Sequence, residues 1–471
     1  MKTLSTNEQH TRVLHAAYQA WMNAAALRQA RLRNKRFTYG DQWGDLVRDE
    51  NGYIMTEGER LISQGCENIT NNLIRQLVKT ILGRFRKQYI KHDDKPLPAV
   101  LSRAIHDNEL DELDSRALEE FLISGCCIQR IDTEHEPGGS EHVRVDNVNI
   151  NNLFINAIED TRSWDCELIG QLHDLNIAQL LRRVAGGNQR KAAWVRRLYT
   201  DNAESRLADF TTRLGADTQL GKDFWHARDG KCRAIEVWTL ESREVIVCHN
   251  RREGTLTVEP ASIAHRLRNR PDFTTRWDIA TVWHCRWFCP MGDLLCEYDS
   301  PWQHGSHPFV IKLYPLTDGE VHAVVEDIID TQKHFNRMIS LLDQVMRCSA
   351  KGVLLFPETA LPEGWTWEQA RQCWSSANGL LPYNPSQSNI KPEQIIANGN
   401  NSNAFQMIEL QMKLFEEISG VSGALQGKMP TVNSANIYQM QSENASIALS
   451  DVFETFEAFR RQRDRKIATI E

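Results

Sequence analysis

The stretch Val321-His322-Ala323-Val324-Val325-Glu326-Asp327-Ile328-Ile329-Asp330-Thr331-Gln332-Lys333-His334-Phe335-Asn336-Arg337-Met338-Ile339-Ser340-Leu341-Leu342-Asp343-Gln344-Val345-Met346 sets the architecture of the whole chain. Val321, Val325, Ile328, Phe335, Ile339, Leu342 and Met346 recur at alternating steps of four and three, with Gln332 filling one slot. That near-heptad spacing predicts one long amphipathic helix whose apolar seam a neighbouring helix can bury. Glu326, Asp327 and Asp330 fall near its start, where the helix dipole favours carboxylates.

C-terminal to this helix, residues 353–400 are irregular, with five prolines and the closely spaced Trp365 and Trp367. Phe405, Ile408, Met412 and Phe415 then mark a second helix. A Gly-rich interruption, Gly420 to Pro430, breaks it, and a third helix is predicted from Asn436 to Ile470. Between Ser419 and Ser442 the one charged residue is Lys428, among Gly, Ser, Asn, Thr and Gln.

The N-terminal half reads differently. Val13, Ala17, Trp21 and Ala24 predict a helix within 8–36, followed by the aromatic turn Tyr39-Gly40-Asp41-Gln42-Trp43-Gly44. Ile69, Leu73, Leu77 and Ile81 predict a helix over 66–87, with Asn68, Asn71 and Asn72 near its start competing for backbone hydrogen bonds. A helix over 109–123, short strands over 126–158, and helices over 174–185 and 189–207 follow. Strands are predicted at Ala234–Leu240, Val245–His249, Thr255–Val258 and Ala280–Phe288. Helices and strands come in runs rather than strict alternation, so the fold class is α+β and not a doubly wound nucleotide-binding fold.

Composition narrows the function. The chain has 471 residues and a net charge of -7, which excludes a simple basic nucleic-acid binder. It contains no run of about 18 apolar residues, and the first 36 residues lack a continuous apolar core, so a cytosolic chain without membrane contact is expected. Eleven scattered cysteines imply reduced, mostly buried thiols.

No motif carries chemistry. In Gly423-Ala424-Leu425-Gln426-Gly427-Lys428-Met429 only three residues separate the glycines, and Met429 stands where a phosphate loop needs Ser or Thr. His284, Cys285, Cys289 and Cys296 lack the spacing of a zinc site; Trp283, Cys285, Trp287 and Cys289 share one strand face and read as core. Neither His-Glu-x-x-His nor Gly-x-Ser-x-Gly occurs. The basic clusters Arg28 to Arg36, Arg84 to Lys87 and Arg182 to Arg197 read as solvated faces or partner surfaces. Neither a catalytic residue, a metal ligand nor a cofactor is therefore assigned.

Four stretches together resemble the bacteriophage portal (head-to-tail connector) family, in its podovirus-type branch. They are Arg36-Phe37-Thr38-Tyr39-Gly40-Asp41-Gln42-Trp43; the Asn-rich helix Asn68 to Lys87; Asp330-x-Gln332-x3-Asn336-x3-Ser340; and Ile418-Ser419-Gly420-Val421 through Leu425-Gln426-Gly427 to Ser434, then Gln439 to Phe456. The resemblance implies a wing domain over 1–318, a first stem helix over 319–349 and a clip over 350–401. It also implies a second stem helix over 402–420, a tunnel loop over 421–435 and a long helix returning to the wing over 436–471. The helical pattern still runs at Glu471, so the crown is expected to be absent or truncated.

What the resemblance implies for function is a structural subunit, not an enzyme. It would form a homo-oligomeric ring, usually of twelve, at one capsid vertex of the virion, assembled in the host bacterial cytoplasm. Double-stranded DNA would be packaged and ejected through it. The large terminase, the capsid and scaffolding proteins and the tail adaptor proteins would be its partners. Gln426, Gly427, Lys428, Thr431, Asn433 and Ser434 would face DNA in the tunnel loop. Val325, Ile328, Phe335, Ile339, Leu342, Met346, Phe405, Ile408, Met412 and Phe415 would pack the stem. Trp365, Trp367 and Trp374 of the clip are the candidates for contact with terminase or adaptors, although Trp365 and Trp367 are read first as its small core. The rival readings are a DNA-processing nuclease or ATPase of phage origin, and a generic helical scaffold.

Overall fold

Leu14, Ala17, Tyr18 and Trp21 fall on one side of the first helix, and that stripe joins a buried hydrophobic core. The computed structural model describes residues 6–49, 51–88, 98–135, 141–201, 203–216, 218, 221–228, 230–250, 254–260, 273–351, 353–357, 361–375, 381–384, 392–395, 402–421, 447 and 449–470. In chain order the first elements are α1 (Thr6–Asn23), α2 (Ala25–Tyr39), β1 (Leu46–Arg48), β2 (Ile54–Thr56), α3 (Glu57–Ser63), α4 (Leu73–Gln88), α5 (Ala99–Asp107) and α6 (Leu110–Ser124). A break at Ala24 divides the single helix predicted over 8–36. Helix α4 begins at Leu73, later than predicted, because the three asparagines ahead of it stay outside the helix.

The chain continues as β3 (Cys126–His135), β4 (Glu141–Asn147), β5 (Leu153–Ile155), β6 (Leu168–Leu175), α7 (Ile177–Ala185), α8 (Gln189–Thr200), α9 (Ala203–Arg213) and α10 (Lys222–Trp225). Then come β7 (Cys232–Asn250), β8 (Leu256–Pro260), β9 (Phe273–Phe288), β10 (Leu294–Asp299), β11 (Phe309–Leu313), β12 (Pro315–Thr317) and β13 (Glu320–Val321). The last elements are α11 (Glu326–Lys351), β14 (Val353–Leu355), α12 (Trp367–Ser375), β15 (Glu393–Ile395), α13 (Ser402–Ser419) and α14 (Ser450–Ala468).

The chain forms two compact units: residues 1–38, 76–327 and 420–471, and residues 39–75 with 328–419. Residues 39–75 thus cluster with residues 328–419.

In the first unit an antiparallel sheet runs β10-β9-β7-β6-β5, with β8 on the far part of β7. Its two long strands stay paired from Ile235 opposite Phe288 to Asn250 opposite Phe273, which fuses the separate short strands predicted here. Helix α1 covers this sheet through Tyr18, Trp21, Phe154, Phe224, Trp225, Ile235 and Phe288. A second sheet, β11-β3-β4, is antiparallel too. Purely antiparallel pairing matches the α+β class. Helix α6 ends at Gly125, which takes φ +68° and whose Cβ, if present, would lie 2.8 Å from Val321 Cγ1 and 2.9 Å from the Tyr314 carbonyl. Only glycine meets both demands.

Helix α14 belongs to this unit. Val452, Phe453, Phe456, Phe459 and Ile467 are buried on it, with Phe456 edge-on to Phe85 at 5.4 Å and tilted against Phe121 at 6.0 Å. Within that face Arg460 Nε donates to Asp114 at 2.8 Å, and Arg463 pairs with the other Asp114 oxygen. One carboxylate thus bridges two buried guanidinium groups, which Glu457 and Asp464 on the same helix also pair with, each at 2.9 Å. The second unit holds the hairpins β1-β2 and β14-β15 and helices α3, α12 and α13, together with nearly all of α11.

Candidate functional site: the polar face of the long helix

Gln332, Asn336 and Ser340 are spaced by four, so they rise along one face of α11. All three are buried, at 1% exposure or less. The sequence reading treats Gln332 as a gap in an apolar seam. The structure corrects this: Gln332 begins a buried polar ladder.

Each rung engages the segment that leads into α4. The first backbone N–H groups of a helix lack intrahelical partners. Asn72 Oδ1 accepts from the Arg75 amide at 2.9 Å, and Gln332 Oε1 accepts from the amides of Leu73 at 2.9 Å and Ile74 at 3.3 Å. Gln332 Nε2 donates to the Asn71 carbonyl at 2.7 Å and to Asn336 Oδ1 at 2.9 Å. Asn336 Oδ1 also accepts from the Asn71 amide at 3.2 Å, while its Nδ2 donates to Gln42 Oε1 at 2.5 Å. Ser340 Oγ accepts from the Ile69 amide at 3.1 Å. The helix thus caps a second helix end, with its own side chains as the cap.

The aromatic turn is built into the same site. Trp43 Nε1 donates to Thr70 Oγ1 at 2.9 Å, and the Gly58 amide donates to the Trp43 carbonyl at 3.0 Å. A Cβ on Gly58 would lie 2.7 Å from Asn68 Nδ2 and 3.1 Å from Trp43 Cβ, so any larger residue there would push the Asn68 side chain aside. Beside the ladder, buried Glu57 accepts from Arg337 and lies 3.1 Å from Lys333 Nζ, which also reaches Asp45 at 2.9 Å. Burial opposes the Glu57 carboxylate, but the hydrogen bonds from Arg337 and Lys333 outweigh it and hold its pKa below the ordinary value. Farther along, Cys66 Sγ donates to Gln344 Oε1 at 2.7 Å, Gln344 Nε2 donates to the Gln64 carbonyl at 3.1 Å, and Arg347 pairs with Glu67.

The apolar residues of the two long helices divide by exposure. Val325, Ile328, Phe335 and Phe415 are buried, and Ile339, Leu342 and Ile408 are half-buried. Met346, Phe405 and Met412 are exposed, together with Leu341, Val345, Met407, Leu410 and Ile418. Trp365 and Trp374 are half-buried. Trp367 is 49% exposed and edge-on to Phe356, which corrects its reading as core: it is the first residue of α12, next to the Thr366 cap. Gln426, Gly427, Lys428, Thr431, Asn433 and Ser434 lie outside the described residues.

The other candidates are occupied structurally. Trp283, Cys285, Trp287 and Cys289 are buried. Burial raises the thiol pKa well above the ordinary value at Cys285, to about 12 at Cys289 and to about 11 at Cys296. His284 Nδ1 lies 2.6 Å from Asp299. The first basic cluster is partly internal rather than solvated: Arg28 stacks over Trp21 at 3.6 Å, with burial lowering its pKa to about 10, and Arg31 is paired with Glu120.

The motifs that meet at the polar ladder, Gln42-Trp43, Asn71-Asn72 and Gln332/Asn336/Ser340, therefore form one interlocked unit. The model of the phage P22-like portal protein family matches this chain over residues 14–469, a span that takes in all of them. The chain belongs to that family. It is a phage portal subunit, a structural protein. Among curated proteins, nothing matches the chain. Family membership places the subunit at the capsid vertex of the virion. Among the described residues no helix is long and apolar enough to cross a membrane. The missed element, the buried ladder, was signalled by polar residues recurring at helical spacing where an apolar seam would not admit them.

Proposed function

We propose that this portal subunit assembles into a ring of about twelve copies whose axial channel carries double-stranded DNA during packaging and ejection. The twelvefold number is the family's usual one, not a count made on this chain. The observation that carries the reading is the apolar surface of α11 and α13. Leu341, Val345 and Met346 on one helix and Phe405, Met407, Leu410, Met412 and Ile418 on the other are exposed in the single chain. Exposed apolar residues in this density mark an interaction surface, and a neighbouring copy in a ring would cover them. The same helices would be the stem, 350–401 the clip that meets terminase and tail adaptors, and 421–435 the tunnel loop.

The acidic total supports a channel that guides DNA rather than grips it, since copies carrying -7 each repel the duplex overall. Lys428, repeated round the ring, would supply a transient phosphate contact.

Electron microscopy of the purified chain, with its mass in solution, tests the reading. The expected result is a ring with a central hole wide enough for duplex DNA. Phe405→Glu with Met412→Glu is expected to leave the subunit folded and abolish the ring. Rings that form unchanged in that variant would remove this face from the interface. A chain that stays monomeric even with scaffolding and capsid proteins present would overturn the ring itself.

A further inference from the structure

Within the first unit, a cavity of about 310 Å³ opens beside Trp164, between the loop preceding β6, strand β11 and the end of α14. Three features of its wall point to a ligand.

The first is charge. Arg162, Arg465, Lys466 and His307 line the cavity, and among the described residues its wall contains no Asp or Glu. Arg162 is neutralised, since Asp160 holds it through both carboxylate oxygens. Lys466 is not: its Nζ donates to the carbonyls of His307 and Phe309, each at 2.7 Å, and no ion pair to it occurs among the described residues. Arg465 has none there either. Burial pulls the Lys466 ammonium down to about 7, and a carboxylate brought beside it would reverse that shift.

The second is the mouth. Trp164 is 74% exposed, which is unusual for a side chain of this size. It is not loosely held. Arg162 stacks over its ring at 3.8 Å, Asp165 Oδ2 accepts from the amides of Glu159 and Asp160 at 2.6 and 3.0 Å, and Lys312 donates to the Thr161 carbonyl at 2.7 Å. A rigid exposed tryptophan loses little conformational freedom when a partner covers it.

The third is size and lining. The cavity accommodates one or two side chains and is too narrow for a nucleic-acid duplex, and Ile155, Val310 and Ile311 give it apolar walls.

We propose that this cavity is a docking pocket for an acidic segment of another protein, with a carboxylate set against Lys466 and Arg465 and an adjacent apolar side chain against Trp164. None of the residues lining the pocket belongs to α11 or α13, so the inference does not rest on the ring.

The test is selection of a random displayed peptide library on the immobilised full chain. Selected peptides are expected to combine Asp or Glu with an aromatic or aliphatic residue. Their measured binding is expected to weaken by about tenfold or more in Arg465→Gln, as loss of a charge-assisted contact implies. Trp164→Ala should weaken it as well; both residues are exposed, so neither change threatens folding. Peptides without acidic enrichment, binding unchanged in both variants, or no selected peptide would each overturn the proposal. Displacement of the peptides by inorganic phosphate at millimolar concentration would overturn it, assigning the site to phosphate instead. Binding by the monomer that vanishes on ring assembly would assign the pocket to a neighbouring copy, and would equally overturn a separate partner.

Discussion

The C-terminal helix α14 and the long helix α11 both bury apolar and polar residues, but the polar groups differ. Helix α14 buries Val452, Phe453, Phe456, Phe459 and Ile467, and sets the charged Arg460 and Arg463 on Asp114. Helix α11 buries Ile328, Ile329 and Phe335 beside the neutral ladder Gln332, Asn336 and Ser340, and leaves Leu341, Val345 and Met346 in solvent. Apolar packing is non-directional and scales with area, so it supplies stability but specifies register weakly. A ladder of hydrogen bonds is directional, and sliding the helix by one turn would break every rung. With its polar face used within the subunit, α11 still exposes Leu341, Val345 and Met346.

The contrast can be broken at its strongest point first. Asp114→Ala removes the carboxylate shared by two buried guanidinium groups and leaves Arg460 with Glu457 and Arg463 with Asp464, and a loss of about 3 kcal/mol is expected in denaturant unfolding of the unassembled chain. A loss under about 1 kcal/mol would show that Glu457 and Asp464 suffice for the two arginines and that the apolar face holds α14. Next, Gln332→Leu removes the partner of the Leu73 and Ile74 amides and of the Asn71 carbonyl, for roughly 2–3 kcal/mol. Amide exchange at Leu73 and Ile74 should accelerate while the middle of α4 stays protected. Unchanged exchange there would show that the glutamine does not cap that helix.

Ser340→Ala sharpens the comparison, since it takes one acceptor from a single amide, that of Ile69. About 1 kcal/mol is expected, and full additivity with Gln332→Leu would mean the rungs act independently rather than as a ladder. The smallest change concerns pH. The hydrogen bond from Arg347 holds Glu67 below its ordinary value of 4.5, so its contribution is present above that value and is lost as pH falls through the lower folded value. Glu67→Gln should slightly flatten the acid limb of the stability profile and leave neutral pH almost untouched, because the pair is exposed. An unaltered limb would show that the pair contributes nothing.

Much of this architecture was readable from residue order, and its failures share a cause. The period of Val325, Ile328 and Phe335 announced a long helix, observed at Glu326–Lys351. The stripe Ala17 and Trp21 announced the helix that covers the main sheet. The start of α4 was misplaced because its cap comes partly from Gln332, 259 residues away. The strands at Ala234–Leu240 and Val245–His249 looked separate because Glu241, Ser242 and Arg243 are polar, but unbroken pairing with β9 carries the strand through them. Arg28 and Arg31 looked like a solvated patch because charge is normally external; the Trp21 indole on the preceding helix and the Glu120 carboxylate, distant in sequence, make their burial tolerable.

Residue order by itself determined the helical periods, the α+β class and the family, because each of these is written in spacing along the chain. The tertiary structure alone decided which polar groups meet. Spacing can put Gln332, Asn336 and Ser340 on one face, but whether that face meets water, a seam or the backbone of residues 69–74 depends on segments brought together across the chain. In a buried setting an unpaired amide is costly, so the partner that satisfies it is what settles the arrangement.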